Sequence, residues 1–213
     1  TIGAGQTVEG SGTLAALTNL GTILVDSGAA IALAGVTNAG LIKAAGGTLS
    51  IDALAGAGTL EADGSLLLTG ASGASLSGGA MLVAPGGALR LDSSLAVSAE
   101  TLSFGNKAGL VSIGNLAGFT GDLITGFIAN DVILLPNLHI TGDSVTTGGG
   151  RTTLDLTGTL AGGGATSGEL VFNGIYSQAT LLAALHDSSL ASYAIAATTP
   201  GKAEGNSGST PFT

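Results

Sequence analysis

The sequence predicts an all-β chain, a parallel β-helix or solenoid with a C-terminal β-rich cap that contains one short helix. Three observations carry that prediction. The first is an echo: TNLGTILVDSGA (18–29) returns nineteen residues later as TNAGLIKAAGGT (37–48), with Gly21 and Gly40, Ile23 and Ile42, and Gly28 and Gly47 at matching places. The second is a run of strand-length apolar segments, such as TILV (22–25), AIAL (30–33), LIKA (41–44) and TLSI (48–51), parted at short intervals by Gly, Asn, Asp or Ser. The third is composition, with 45% hydrophobic residues but only 3% aromatic and 9% charged, and 38 glycines among 213 residues. Small and β-branched residues between frequent glycines favour short strands and tight turns over helices.

A repeat near twenty residues points to a solenoid, because one coil cannot bury its apolar face alone and must stack on its neighbours. A second echo, GSGTL (10–14) and GAGTL (56–60), extends the pattern. The competing sandwich needs alternating strands around an aromatic-rich core, which so few rings do not supply. Within the coils, Asn19 and Asn38 are expected to stack as turn residues whose amides bond from rung to rung. Gly21 and Gly40 relieve the same corner, and Ile23 and Ile42 stack inside.

Residues 1–118 read as the solenoid repeats. After Ser103 the character changes: Phe104, Phe119, Phe127, Phe172, Tyr176 and Tyr193 enter, and FTGDLITGFIANDVILLPNL (119–138) holds longer, more hydrophobic strands. Residues 119–197 are therefore assigned to terminal coils and a capping subdomain, since a solenoid end exposes unpaired edges and an open core. Inside it, TTGGGRTTLDLTGTLAGGG (146–164) predicts a hairpin-like strand pair with flexible ends. SQATLLAALHDSSL (177–190) predicts a helix capped by Ser177, with Ala179, Leu182, Leu185 and Leu190 near one face. ASYAIAA (191–197) returns as a strand, and the Gly/Ser/Thr/Pro-rich stretch 198–213 reads as a linker-like tail.

Five basic against fourteen acidic residues give a formal charge of −9, which repels phosphate backbones and makes nucleic acid an unsuitable partner. Cysteine is absent, so there is no disulfide scaffold and no thiolate chemistry, in keeping with a secreted bacterial surface protein. No apolar run approaches the roughly 20 residues of a membrane span. The opening TIGAGQTVEG has neither a basic nor an apolar signal region, so an export signal is expected outside these residues.

The repeat text, together with GDLITGFIANDVILLPNL (121–138) and GELVFNGIY (168–176), resembles the β-strand repeat regions of large secreted adhesin-like and autotransporter-like proteins of Gram-negative bacteria. The resemblance covers most of residues 10–197 through degenerate motifs. It implies a parallel β-helix whose role is adhesion, surface coating or matrix building, and it carries over no catalytic residues.

Calcium is the first cofactor to weigh, because secreted β-rolls bind it through GGxGxDxUx repeats. That nonapeptide does not occur. Asp122 and Asp131, nine residues apart, are the candidate metal pair, against the alternative that each caps a turn. A glycan-active β-helix is the best enzyme hypothesis and would need an acid/base pair held a few ångströms apart. Arg90 and Asp92 point to one face of a strand, as do Arg151, Thr153 and Asp155, and surface ion pairing is the expectation for both sets. His139 reads as a strand or turn residue. His186, followed by Asp187 and Ser188, reads as a helix C-terminal histidine interacting with the dipole, since triad members meet through the fold and not along one turn.

Assembly remains as the expected role. Open solenoid ends template strand addition, and the only charged side chain in the first 25 residues is Glu9. A non-enzymatic, extracellular or cell-surface structural protein is expected, the subunit of a self-assembling fibre, layer or biofilm matrix, or an adhesin stalk. Head-to-tail contact between copies would build filaments, with Pro211, Phe212 and Thr213 as the candidate connector. The alternative is a glycan-binding or glycan-cleaving β-helix.

Overall fold

The computed structural model describes residues 1–187, in which parallel strands stack through about six turns of a β-solenoid. Each turn has three faces. The first coil holds β1 (Thr7–Glu9), β2 (Gly12–Ala15) and β3 (Thr18–Asn19). The second holds β4 (Thr22–Val25), β5 (Ala30–Ala34) and β6 (Val36–Asn38). In the third, β7 (Leu41–Ala44) is followed by β8 (Thr48–Ala55), whose two halves serve two faces. The fourth coil begins with β9 (Thr59–Ala62) and runs into β10 (Ser65–Val83), which turns two corners and enters the fifth. There β11 (Ala88–Leu91) precedes β12 (Ala96–Phe104), which likewise turns into the sixth coil, with β13 (Leu110–Ile113) and β14 (Phe119–Thr120). A last partial coil holds β15 (Leu123–Thr125) and β16 (Val132–Leu135).

Parallel stacking puts like residues on like, so each inward position becomes a column running along the axis. On the first face Val8, Ile23, Ile42, Leu60, Met81, Leu102 and Ile124 follow one another in register. The third face carries Val36, Leu54, Leu76, Val97 and Phe119. From Ile23 to Ile124 every member of the first column is buried. Burying such a side chain is worth about 1.5–3 kcal/mol, and none of these coils could bury its own without the next. Ile23 pairs with Ile42, and both are fully inside.

Beyond Leu135 the coil is interrupted, and its parallel stacking resumes only at residues 171–172 and Leu185–Asp187. A three-stranded antiparallel sheet follows, made of β17 (Leu138–Gly148), β18 (Arg151–Leu160) and β19 (Ala165–Asn173). The β17–β18 turn is Gly149-Gly150, with φ of 58° and 76°, a two-residue loop whose positive φ at both positions matches the twist of a hairpin. β19 then returns to the solenoid: Phe172 pairs with Ile124 and extends the first-face column into the cap.

There the rings close the core. Phe127 stands edge-to-face with Phe104 at 6.0 Å, Phe172 at 5.2 Å and Tyr176 at 5.4 Å, and the Tyr176 hydroxyl donates to the Phe127 carbonyl at 3.0 Å. The buried Thr152 hydroxyl donates to the Gly174 carbonyl and accepts from the Tyr176 amide, fixing the approach to the helix.

Several local expectations change. The strands within 119–138, expected to be longer, are the short β14, β15 and β16. The tract 146–164, expected as a strand pair with flexible ends, holds one whole strand, β18, and the turn that joins it to β17. SLLLT, SLS and MLVA, which read as separate strands, belong to the single element β10, irregular only between Gly70 and Ser75. The helix expected over 177–190 is α1 (Gln178–Ala184), capped by Ser177 but burying Leu181 and Ala184. It ends because β20 (Leu185–Asp187) pairs in parallel with Ile133–Leu135. His186 is therefore a strand residue opposite Leu134, not a helix terminus. Leu190, Tyr193, the strand expected at 191–197 and the tail 198–213 lie outside the described residues.

Candidate functional site

The echoed Thr-Asn of the sequence sits at one corner of successive coils. Thr18 and Asn19 pair in register with Thr37 and Asn38. Asn19 Nδ2 donates to Asn38 Oδ1 at 2.8 Å and to the Leu41 carbonyl at 3.2 Å, while Asn19 Oδ1 accepts the Gly21 amide. Asn38 repeats the pattern toward the Thr59 carbonyl and the Gly40 amide. Both side chains are buried with their hydrogen-bonding groups engaged, so they serve the stacking of coils.

Asp131, in the turn between β15 and β16, accepts the Gly109 amide on Oδ1 at 2.9 Å and the Ile128 amide on Oδ2 at 2.7 Å. Burial pushes its carboxyl above the usual carboxylate range despite those two bonds. Asp122, also buried, precedes β15, so the two candidate metal ligands occupy different corners at opposite ends of that strand. Among the described residues no three His, Cys, Asp or Glu side chains converge as a metal site requires.

The ion pairs among the described residues join Lys43 to Glu61 and Asp63, both at 2.8 Å, and His139 to Asp187 at 3.4 Å. Arg90 and Arg151 take part in none of them. Asp92 turns instead to Ser94, whose amide and hydroxyl both donate to Oδ1 at 3.0 and 2.9 Å. The Ser94 amide bond is the main cause that holds the Asp92 carboxyl below its usual 3.8, and the Arg90 charge adds to it.

Those shifts oppose one another in acid. A depressed carboxyl stabilises the fold above 3.8, and its contribution is lost as pH falls through the folded-state value. A raised one, as in Asp131, gains stability in the folded state as pH falls toward 3.8. Asp92→Asn removes only the first, so its melting temperature is expected to drop less than that of the parent on acidification below 3.8. Thermal melts followed by circular dichroism at neutral and acid pH check this, and equal drops would discount the Asp92–Ser94 bonds.

The first coil presents the surface that assembly would need. β1 pairs with β4 and β2 with β5, and among the described residues neither has a strand on its other edge. Ile2 covers part of the third face through its bridge to Asn19, while Val8, Leu14 and Leu17 pack on the core only half-buried. Val8 and Leu14 flank a shallow notch floored by Ile31. An unpaired parallel edge beside exposed core residues is a template for a further coil. Leu14 and Leu17 look like any strand leucines in the text TLAAL, so only their place in the outermost coil marks them. The expected connector, Pro211 to Thr213, lies outside the described residues.

Comparison of the chain with protein-family models, with curated proteins and with solved structures returns no match, so the reading of this surface rests on its own geometry.

Proposed function

We propose that the chain is a non-enzymatic structural protein of the bacterial cell surface or surroundings, a coil-stacking subunit of a fibre, layer or biofilm matrix, or the stalk of an adhesin. The observation that carries this reading is the first coil, whose core side chains are only half-buried and whose strands carry a single charged side chain, Glu9. At one end β1 and β2 have, among the described residues, no strand on their outer edges, which are nearly free of charge and lie beside half-buried Val8 and Leu14. At the other, four rings and an antiparallel sheet cover the core, and β20 likewise has one strand partner among the described residues. Further support comes from how polar side chains are used: the Asn19–Asn38 pair and Asp131 serve backbone amides and carbonyls of the coils.

A second copy is the partner that this end suits, since two chains of charge −9 meet there with little repulsion. Sedimentation velocity and negative-stain electron microscopy over rising concentration test it. Species larger than the monomer are expected for the parent chain, filaments if contact is head-to-tail and discrete dimers if it is end-to-end. Leu14→Lys, which puts an ammonium beside the notch, is expected to remain monomeric with an unchanged β-type circular dichroism spectrum. A parent chain that stays monomeric up to about 1 mM, or a variant that assembles equally well, overturns the reading.

A further inference from the structure

The corner between the second and third faces has a different chemistry from the Asn19–Asn38 corner. Its backbone and amides are pinned from coil to coil. The single Ser94 Oγ proton is shared between the Gly70 carbonyl at 2.7 Å and Asp92 Oδ1, Asn115 Nδ2 donates to the Leu95 carbonyl at 3.2 Å, and Asn137 Nδ2 to the Gly114 carbonyl at 3.1 Å. The cap joins in, for the Ala161 amide donates to the Asn137 carbonyl at 3.0 Å and folds the β18–β19 loop over the corner. Two depressions result. One is lined by Arg90, Asp92, Ser112 and Pro136, the other by Asn115, Leu160 and Thr166, and they share Ser93, Gly114 and Asn137.

The dent has a cause in register. Along the outward column Leu67, Arg90, Ser112 and Leu134 of the second face, Ser112 is the short side chain between long ones, and at 4% exposure it forms the floor. Above it stand a donor and an acceptor on fixed mounts. Arg90 is exposed and outside the ion pairs, and Asp92 is held ionised by Ser94. Apolar contact comes from Leu67, Pro136 and the 42%-exposed Leu160.

We propose that this corner groove is a binding site for a neutral glycan, a role separate from end assembly. A pyranose presents hydroxyls on its rim and C–H groups on its faces, the pairing of polar and apolar surface that the groove offers. Arg90 donates to ring hydroxyls, Asp92 and the side-chain oxygen of Asn137 accept from them, and the Ser93 and Ser112 hydroxyls do either. Because the coils hold Asp92 and Asn137 before the ligand arrives, the ordering cost of binding falls mainly on the exposed Arg90 side chain. The net charge of −9 turns polyanionic glycans away, while Arg90 and Asp92 balance one another locally. An extended peptide is the poorer fit. The Gly114 amide already donates to the Leu91 carbonyl, and the Gly114 and Asn137 carbonyls are engaged as described, so this backbone has little left to pair with a strand.

The test is a titration of the isotope-labelled chain, followed by amide chemical shifts, with cellotetraose, mannotetraose and chitotetraose, and with tetragalacturonate as the anionic comparison. At least one neutral tetrasaccharide is expected to shift the amides of Ser93, Gly114 and Asn137 with a dissociation constant of about 1 mM. Two variants act by different routes: Arg90→Ala removes the donor, and Ser112→Leu fills the floor at an outward position. Each is expected to weaken binding by about tenfold or more with the melting temperature kept. No shift with any neutral probe at about 20 mM, shifts confined to another surface, or affinity unchanged in Ser112→Leu overturns the proposal. Tighter binding of tetragalacturonate than of every neutral probe overturns its neutral character. Failure here leaves the assembly state measured for the first coil as it was.

Discussion

Phe127→Ala is expected to cost about 4 kcal/mol, within the range for removing a buried phenylalanine. The ring is 4% exposed and is the member of the cap cluster that touches Phe104, Phe172 and Tyr176. Its loss leaves a cavity between the last coil and the antiparallel sheet. The Tyr176 hydroxyl keeps its bond to the Phe127 carbonyl, because that oxygen belongs to the backbone, so the loss measured is one of packing. Neighbouring coils in a solenoid support one another mainly pairwise, and the damage is therefore expected at the cap first. Hydrogen exchange should accelerate in β18 and β19 before it does in β4 and β5, and urea unfolding should begin at lower denaturant. A uniform acceleration along the chain would show that the cap and coils unfold as one unit. Phe127→Leu, which keeps most of the volume, is expected to lose less than about 1.5 kcal/mol.

Gly40→Ala is expected to cost about 3 kcal/mol, at the upper end for forcing an added methyl into a packed site. A Cβ at residue 40 would lie 2.2 Å from the Gly21 carbonyl oxygen and 2.8 Å from the Leu20 carbonyl carbon, both backbone atoms of the coil before. No rotamer change relieves that contact. The same Gly21 oxygen accepts the Leu41 amide at 2.9 Å, so moving the coils apart to admit the methyl lengthens a bond that joins them. Gly28→Ala is the instructive comparison. Its φ is +79° but nothing lies within 4 Å of the added atom, so it carries only the conformational cost of about 1–2 kcal/mol. Urea midpoints for the two variants check the order, and Gly28→Ala proving the more damaging would mean that coil separation is softer than the contact distances indicate.

How far the sequence was legible follows from where each feature is encoded. The coil was readable because stacking demands the same kind of residue at the same place in each turn. Asn19 with Asn38 and Ile23 with Ile42 are that demand written out. Ser177 as a helix cap was readable because a cap is local, whereas Gly149-Gly150, read as a flexible end of a strand pair, is the turn that joins β17 to β18. What lay hidden was set by partners far along the chain. The end of α1 is decided by β16, the continuity of β10 by strands in the coils on either side, and the partners of Lys43 by residues 61 and 63 of the next coil. The corner groove depends on a cap loop reaching Asn137 and on one short side chain between Arg90 and Leu134, neither of which leaves a periodic trace.

The first-face column has one more consequence. From Ile23 to Ile42 is 19 residues, from Ile42 to Leu60 is 18, from Leu60 to Met81 and from Met81 to Leu102 are 21 each, and from Leu102 to Ile124 is 22. The column stays in line all the same, because the surplus is taken up at the corners, as in the exposed Asn106 and Lys107 of the turn between β12 and β13. The molecule thus behaves as a ruler graduated in whole turns. Foreign loops are best spliced in beside Asn106, where they lengthen a turn without shifting the scale, whereas a single residue added within β7 or β9 would turn the rest of that strand onto the wrong face before the next corner could absorb it.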